Sequence, residues 1–491
     1  MRLRITVLSV LVVGVFSWVP LCSGQWSGDP SANLVIADRS GPQVQAKIVP
    51  TADGGFYLSW FDNSAGGYDV YLQRLDAAGV EQWPHNGVLV ADRSYDWTQE
   101  YGLAVDATGH ALLAFGGGAQ PGDEITVARV DPDGNLVWGP NGVQVATGSD
   151  ALSPRVAGTS DGNIAVAWTQ GDSLVVQKLD PSGTPLWGPG VVFSPPYGIY
   201  FVADVEASVA GNVIVSWVHG GYPNPPHLWA QKLAAADGAL LWGASHVTIF
   251  DTGSLQMGNF PPFVSDGAGG AVFAWYINSN PSPYFLQCKV QHVLANGTEA
   301  FAHQGVDVST NATRQRVNPS AAFLPATGEV VVFWAETDET QGDYGLYGQK
   351  LDANGVRQWT DNGRELVPMS GNVITDVTTL PFGDGALVAW VDSVSYLIHE
   401  PIRATRVDGD GDFVWAAPIV DLSTAIAARS DIAGALSSSG FAAFAWTHGD
   451  EMAASDIPAQ NLNGDGSLGS AVLFNDGFES GDTAAWSATV P

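Results

Sequence analysis

Short apolar runs that close on an aromatic residue recur along this chain about every 55 residues. The eight runs are Gly55–Trp60, Gly109–Phe115, Gly162–Trp168, Gly211–Trp217, Gly269–Trp275, Gly328–Trp334, Gly385–Trp390 and Gly440–Trp446. A second pattern, Gln-(Lys/Arg)-(Leu/Val)-Asp-x-x-Gly-x-x-x-Trp, alternates with them and is clearest at Gln73–Trp83, Gln177–Trp187 and Gln349–Trp359. A fixed period of this length indicates a solenoid, a propeller or another repeat array.

The first complete repeat predicts four short antiparallel strands. Val44–Val49, Phe56–Trp60 and Asp69–Leu75 are the first three, and residues 80–83 and 88–91 complete an outer strand. Gly79 supplies the positive φ that the tight turn before the outer strand requires. Four antiparallel strands repeated in this way are typical of a β-propeller blade. Eight runs therefore predict an all-β fold, a single eight-bladed β-propeller over residues 25–474.

The two ends of the repeat region carry similar short strands. Leu34–Ala37 precedes the first full repeat, and Ala471–Phe474 follows the last one; both match the outer-strand copies. We expect one of the two to pair with the last blade and close the ring.

The N-terminus has the features of a secretory signal. Arg2 and Arg4 precede an apolar run over residues 5–19, and small residues follow at 22–24. This pattern predicts a signal peptide over residues 1–24, and the run is short for a transmembrane segment. We expect a protein that is secreted, extracellular or on the cell surface, with the periplasm as an alternative.

The amino-acid composition restricts the classes of partner that this protein can bind. The chain has 19 Lys and Arg against 50 Asp and Glu, a formal net charge of −31. Such a surface repels phosphate, so we predict no nucleic-acid partner, and we expect a monomer. Removal of the signal peptide leaves Cys288 as the one cysteine, so packing rather than a disulfide holds the fold.

Basic residues follow the Gln position in seven of the eight repeats. They are Arg74, Arg129, Lys178, Lys232, Lys289, Lys350 and Arg406, with Asn461 in the eighth. A contact made once per blade indicates a scaffold role, in which each cation lies on a tryptophan or pairs with an Asp.

The Asp-x-x-Gly-x-x-x-Trp part of the repeat, as in Ala235–Trp242, resembles the tryptophan-docking repeats of quinoprotein (PQQ-dependent) dehydrogenases, which are eight-bladed propellers. The whole repeat also resembles arrays in secreted bacterial proteins. Those dehydrogenases have adjacent cysteines beside the cofactor, and this chain has no such pair. The resemblance therefore implies the fold alone, and we predict no cofactor, with calcium as the one alternative. Residues 475–491 are similar to a C-terminal tail of exported bacterial proteins, either a sorting tag or a loosely ordered end.

Candidate chemistry falls in the loops after the second strand of each blade, which a propeller gathers around one mouth of its channel. Two positions beyond the closing aromatic, six repeats carry a polar side chain: Asp62, Gln170, His219, Glu336, Asp392 and His448. Together they would form a cation site or an acid/base set; alternatively, each caps its own turn and faces water.

Two further groups are candidates for binding. Aromatic residues in the same loops would stack on sugar rings or pack over the blade edges: Tyr222, Trp229, Tyr276, Tyr284 and Tyr344. Asp408, Asp410 and Asp412 alternate as in a calcium loop, but they coincide with the hairpin turn of the repeat, whose turn chemistry explains them first.

These patterns predict a secreted or cell-surface propeller that acts as a non-enzymatic binding module for a glycan or a protein. The alternative is a propeller glycoside hydrolase or polysaccharide lyase that uses the Asp/Glu/His set at the mouth. A quinoprotein oxidoreductase is disfavoured by the missing cysteine pair.

Overall fold

The computed structural model describes residues 25–93, 95, 98–117, 124–148, 150–221, 223–278 and 285–469, and their regular secondary structure is almost entirely β-strand. The first strand is β1 (Leu34–Ala37). Blade 1 contains β2 (Gln43–Pro50), β3 (Phe56–Asp62), β4 (Asp69–Leu75) and β5 (Val88–Ala91). Blade 2 contains β6 (Gly102–Val105), β7 (Ala111–Gly117), β8 (Glu124–Val130) and β9 (Val143–Thr147). Blade 3 contains β10 (Ala151–Gly158), β11 (Ile164–Gln170), β12 (Ser173–Leu179) and β13 (Val191–Phe193).

The second half of the ring continues the pattern. Blade 4 contains β14 (Ile199–Ala207), β15 (Val213–Gly221), β16 (Asn224–Leu233) and β17 (Val247–Phe250), with a 3-10 turn at Val209–Gly211. Blade 5 contains β18 (Ser254–Leu255), β19 (Phe263–Ser265), β20 (Ala271–Asn278), β21 (Leu286–Val293) and β22 (Val306–Asp307). Blade 6 contains β23 (Gln315–Leu324), β24 (Glu329–Thr337), β25 (Tyr344–Leu351) and β26 (Arg364–Ser370). Blade 7 contains β27 (Val373–Phe382), β28 (Gly385–Ser393), β29 (Ile402–Val407) and β30 (Val420–Ser423). Blade 8 contains β31 (Arg429–Leu436), β32 (Ala442–Asp450) and β33 (Ala454–Leu462).

The predicted eight-bladed propeller of four-stranded antiparallel sheets is confirmed. In blade 5 the innermost strand is split into β18 and β19, which both pair with β20. The innermost strands contact one another in sequence around the ring, and β31 of blade 8 returns to β2 of blade 1. Among the described residues, no helix is long and apolar enough to cross a membrane.

The ring is closed by the N-terminal segment. Strand β1 pairs antiparallel with β33, Leu34 opposite Ala459, and so completes blade 8. Of the two strands expected to close the ring, Leu34–Ala37 therefore does so. The other candidate, residues 471–474, lies outside the described residues, as do the predicted signal peptide and the C-terminal tail.

Neighbouring blades are joined through a backbone carbonyl in the Asp-x-x-Gly turn. In blade 1, Trp83 Nε1 and Arg74 Nη1 both donate to the carbonyl oxygen of Pro132 in blade 2, each at 3.2 Å. The same sharing occurs at Pro181, Ala235, Ala295 and Gly464. The scaffold role predicted for the basic residues thus has a specific form, a charge-assisted hydrogen bond into the next blade.

The turn glycine lies against the tryptophan that docks on it. A Cβ at Gly411 would be 2.8 Å from Cε2 of Trp359, and its φ of +79° already disfavours any other residue. Residues 80–83, which we expected to be part of the outer strand, instead carry the docking tryptophan, and only Val88–Ala91 is strand.

The prediction of Lys289 as the basic residue of blade 5 is wrong. The strand register places Gln291 opposite Phe273, two residues before the closing Trp275. In blade 6, Gln349 is likewise opposite Val332, two residues before the closing tryptophan. The residue after the Gln position is therefore His292, whose Nε2 lies 3.1 Å from Oδ2 of Asp266. The motif has His292 at the basic position of this blade, and Lys289 lies three residues before it.

Trp26 supplies the docking tryptophan of blade 8 from the other end of the chain. Its Nε1 donates to Ala77 O at 3.0 Å, in the turn of blade 1. Its ring packs edge-on against Phe56 and Phe441, with centroids 6.2 and 6.3 Å away. Residues 26–37 thus give blade 8 both its docking residue and its outer strand.

We expect Trp26→Ala to lower the free energy of unfolding by about 3–5 kcal/mol, because it empties a buried site at the ring closure. Urea unfolding followed by tryptophan fluorescence measures the change. Val35→Ala, an exposed position on β1, is the control and should change stability by about 0.5 kcal/mol or less. Equal losses in the two variants would contradict a closure that depends on Trp26.

Candidate functional site

One end of the ring carries the variable loops. Strands alternate in direction, so the connections between second and third strands and those between blades lie at the same end. We call this end the loop face. The six polar residues predicted for the mouth all lie at or near the loop-face end of a second strand.

The three acidic members of that set are each paired within or beside their own blade. Asp62 Oδ1 accepts a hydrogen bond from Ser64 N at 2.9 Å, and Oδ2 lies 3.5 Å from Arg39 Nη1. Glu336 Oε2 accepts from Trp334 Nε1 at 2.8 Å and lies 3.2 Å from Arg316 Nε. Asp392 pairs with Arg403 and accepts from Asn372 Nδ2 at 2.9 Å.

Of the other three, His219 and Gln170 are held locally as well. Nε2 of the buried His219 lies 2.7 Å from the carbonyl oxygen of Tyr197. Gln170 Oε1 accepts from Trp168 Nε1 at 3.3 Å. Burial and the nearby Arg429 lower the pKa of His448 to about 4, so it is neutral at neutral pH. The structure gives each of the six its own surroundings, and the cavities described below are lined by other residues.

The predicted aromatic platform is distributed over three blades. Trp229 in blade 4 stacks on His246, with centroids 3.9 Å apart and planes 10° apart. Tyr276 belongs to blade 5 and Tyr344 to blade 6, and both are half-buried. Tyr222 and Tyr284 lie outside the described residues.

The alternating aspartates of blade 7 form the hairpin turn. Asp408 Oδ1 accepts from the backbone N–H groups of Asp410 and Asp412, both at 3.0 Å. Asp352 makes the same contacts in blade 6. Within the described part of the chain, no three His, Cys, Asp or Glu side chains are grouped closely enough to hold a metal ion.

A cavity of about 870 Å³ opens on the loop face between blades 7 and 8. We call it the mouth pocket. Five large apolar side chains around it are between 61 and 91% exposed: Tyr396, Leu397, Ile398, Ile426 and Met452. Asp376, Asp450 and Glu451 line it as well, so an apolar rim stands beside carboxylates.

Buried polar contacts hold the walls of the mouth pocket. Glu400 Oε1 accepts from Ser393 Oγ at 2.9 Å and from Leu397 N at 3.0 Å. Its Oε2 accepts from Arg429 N at 2.8 Å. One buried carboxylate thus ties the loop of blade 7 to the first strand of blade 8.

The channel between the inner strands is lined by charged residues. Glu100 Oε2 lies 3.2 Å from Arg155 Nη2 and 3.9 Å from Lys47 Nζ, and Asp204 and Glu206 line the same cavity of about 380 Å³. Burial raises the pKa of Asp204 to about 6. Burial and the adjacent Asp204 raise the pKa of Glu206 to about 8.

Sequence reasoning missed both the mouth pocket and the channel carboxylates. The inner strands carry a recurring bulge with a non-glycine residue at φ between 50 and 57°: Gln45, Ser153, Asn318, Asp376 and Asp431. Such residues cost about 1–3 kcal/mol of backbone strain and concentrate at functional sites. No residue type marks the bulge, so the sequence offers no signal for it.

We expect Glu336→Gln to lower the free energy of unfolding by about 3–5 kcal/mol, because it leaves the buried Arg316 without a carboxylate. Urea unfolding measures the loss. Glu339→Gln, an exposed neighbour, is the control. A stable Glu336→Gln protein would show that the pair is not a structural one.

The chain matches no known family and no curated protein sequence. Its fold is similar to that of several solved structures. A protein of unknown function from Dyadobacter fermentans has 12% identity and a TM-score of 0.42, over 87% of this chain and 96% of that one. The polysaccharide lyase Uly1 has 10% identity and a TM-score of 0.45, over 91% and 95%. The Dos1 propeller has 12% identity and a TM-score of 0.46, over 88% and 94%. At such identities none of them shows what this chain binds or transforms.

Proposed function

We propose that this protein is an extracellular or cell-surface binding module that captures a partner polypeptide at the mouth pocket. The observation that carries the proposal is the set of exposed apolar side chains around one cavity of about 870 Å³. Large apolar side chains exposed together around a concavity are typical of an interaction site. The location follows from the predicted signal peptide.

The pocket walls are preorganised. Because Glu400 bonds to Ser393, Leu397 and Arg429 at once, the loop of blade 7 and the start of β31 are held together before any partner arrives. A preorganised site loses less conformational entropy on binding, so more of the contact energy appears as affinity.

The lining favours a partner that presents an apolar side chain beside a basic one. Four of the five rim residues are aliphatic or methionine, whereas sugar rings are bound by flat aromatic surfaces. Asp376, Asp450 and Glu451 complement Lys or Arg, and the net charge of −31 attracts a basic partner from a distance.

We expect peptides selected from a random display library on the purified protein to share an apolar residue next to Lys or Arg. Fluorescence anisotropy should show binding that weakens about tenfold or more in Met452→Ser and in Ile426→Ser, because each loses buried apolar area. Affinity should also fall as salt rises, since salt screens the carboxylates.

Met257→Ser is the matched control, because Met257 is as exposed as Met452 but does not line the mouth pocket. It should bind the selected peptides like the unchanged protein. Selection of no common sequence, or equal binding by Met452→Ser, would argue against the proposal.

A second candidate is a glycoside hydrolase or polysaccharide lyase with its site in the channel. Asp204 and Glu206 lie two residues apart on β14, and their pKa values are raised to about 6 and about 8. Raised pKa values allow one carboxyl group of the pair to stay protonated near neutral pH while the other is ionised, which suits an acid and a base. Arg155 in the same cavity could pair with a sugar carboxylate.

For this candidate, we expect reducing ends or unsaturated products from an acidic polysaccharide, at a rate that falls as pH rises through about 8, when Glu206 loses its proton. Glu206→Gln should abolish turnover, and Glu339→Gln should not. Turnover that survives Glu206→Gln would exclude Glu206 as the acid.

Stability gives an independent check. The folded-state pKa of Glu206 lies above its ordinary 4.5, so its contribution to stability is present below pH 4.5 and is lost as pH rises through about 8. The melting temperature of Glu206→Gln should therefore exceed that of the unchanged protein at pH 9 and match it near pH 4. No difference at pH 9 would contradict the raised pKa.

A further inference from the structure

The buried cation Arg93 has no hydrogen-bond partner for its side chain within the described part of the chain. It is 4% exposed, and none of its three guanidinium nitrogens has a hydrogen-bond partner among the described residues. The guanidinium carbon lies 4.1 Å from the ring centroid of Tyr95 and 4.7 Å from that of Phe61. The backbone N–H of Arg93 donates to Asp69 Oδ1 at 2.7 Å.

The N–H donors of the Arg93 guanidinium therefore carry a free-energy cost of burial without hydrogen bonds. A guanidinium carries five N–H donors, and aromatic faces attract its charge without accepting hydrogen bonds of ordinary strength. A buried donor that is left unpaired costs about 1–3 kcal/mol, and more when it is charged. Burial lowers the pKa of Arg93 to about 10, so it stays charged at neutral pH. An acceptor from outside the chain would remove this cost.

The internal repeat shows which acceptor is missing. Ala37-Asp38-Arg39 follows the outer strand β1, and Ala91-Asp92-Arg93 follows the outer strand β5. Arg39 meets the carboxylate of Asp62 at the end of β3, with 3.5 Å between Nη1 and Oδ2. The equivalent position at the end of β7 is Gly117, which has no carboxylate to offer Arg93.

Space for an external carboxylate exists beside Arg93. A cavity of about 440 Å³ is lined by Arg93, Phe115, Gly117, Thr126, Asn141 and Gln144. Phe115 stands where the other seven runs have tryptophan. In blade 6 that tryptophan reaches the glycine before the outer strand, since a Cβ at Gly363 would lie 2.7 Å from Trp334 Cη2. Around Gly142 of blade 2 the nearest atoms belong to Val127 and Thr126 instead, so no indole fills this part of the blade.

The other polar groups of the cavity suit hydroxyls. Asn141 and Thr126 can donate and accept, and the carboxylates of Asp92 and Glu124 accept. Glu124 is already bonded to Gln144, and Thr126 Oγ1 lies 3.4 Å from Glu124 Oε1. A ligand with one carboxylate for Arg93 and several hydroxyls matches this lining, because Asp92 and Glu124 accept hydrogen bonds from hydroxyls.

We propose that Arg93 and the cavity beside it form a binding site for a sugar acid, whose carboxylate takes the place that Asp62 fills for Arg39. The planar guanidinium can hold such a carboxylate through two parallel hydrogen bonds. The ligand is a free hexuronate or the uronate residue of a polysaccharide. This site lies on blades 1 and 2, is lined by none of the residues of the mouth pocket, and does not depend on the polypeptide-binding proposal.

The test is isothermal titration calorimetry of the full chain with D-glucuronate, with a short oligogalacturonate and with D-glucose as the neutral match. We expect glucuronate to bind and glucose not to bind. Arg93→Lys keeps the charge but loses the two-pronged geometry, so it should weaken binding about tenfold or more. Much tighter binding of the oligogalacturonate would identify a polysaccharide as the source of the uronate, and equal binding would identify the free sugar acid.

Phe115→Trp is the second variant, because it places in blade 2 the residue that the other blades carry. It should abolish binding while the melting temperature stays the same or rises, so the loss cannot come from unfolding. The proposal is overturned if neither acidic ligand binds, if glucose binds as well as glucuronate, or if Phe115→Trp or Arg93→Lys binds like the unchanged protein.

Discussion

The structure depends on a backbone carbonyl of the Asp-x-x-Gly turn, which joins most neighbouring blades through hydrogen bonds. At most junctions it accepts a tryptophan N–H and a basic side chain from the preceding blade, as Pro132 accepts from Trp83 and Arg74. A closed ring needs every junction to hold, because a single open one would expose two apolar blade faces. The junction of blade 8 with blade 1 uses Trp26 from the N-terminal segment for the same contact. The residues that recur from repeat to repeat are therefore the ones that pack neighbouring blades together.

Since the repeated residues are used for packing, binding and chemistry are expected where a blade departs from the repeat. Blade 2 has Phe115 for tryptophan and Gly117 for a polar residue, and there the Arg93 guanidinium lies beside a cavity with no hydrogen-bond partner among the residues that the structure describes. Blades 7 and 8 differ in their loops, which carry the exposed rim of the mouth pocket. In both places a local departure leaves surface that the scaffold does not use.

The charged residues are likewise divided between ion pairs within the scaffold and carboxylates that line the channel. The basic residues are few, and many are paired: Arg316 with Glu336, Arg403 with Asp392 and Lys178 with Asp161. Some of the other carboxylates line the channel, where burial and nearby carboxylates raise the pKa of Glu206 and Asp431. Such a surface favours basic partners, and it makes a site that recognises a carboxylate dependent on a single well-placed arginine.

The sequence by itself determined the strand order, the number of blades, the loop face and the scaffold role of the basic residues, because these follow from local periodicity and turn chemistry. It also placed Asp62, Glu336 and Asp392 at equivalent blade positions. Their pairing with Arg39, Arg316 and Arg403 was decided by tertiary structure, since it depends on distances between strands. The same holds for the closure by Trp26, the register that puts His292 rather than Lys289 at the junction of blade 5, and the cavities beside Arg93 and Glu400. Each of these depends on which side chains meet across the ring, and a one-dimensional pattern does not contain that information.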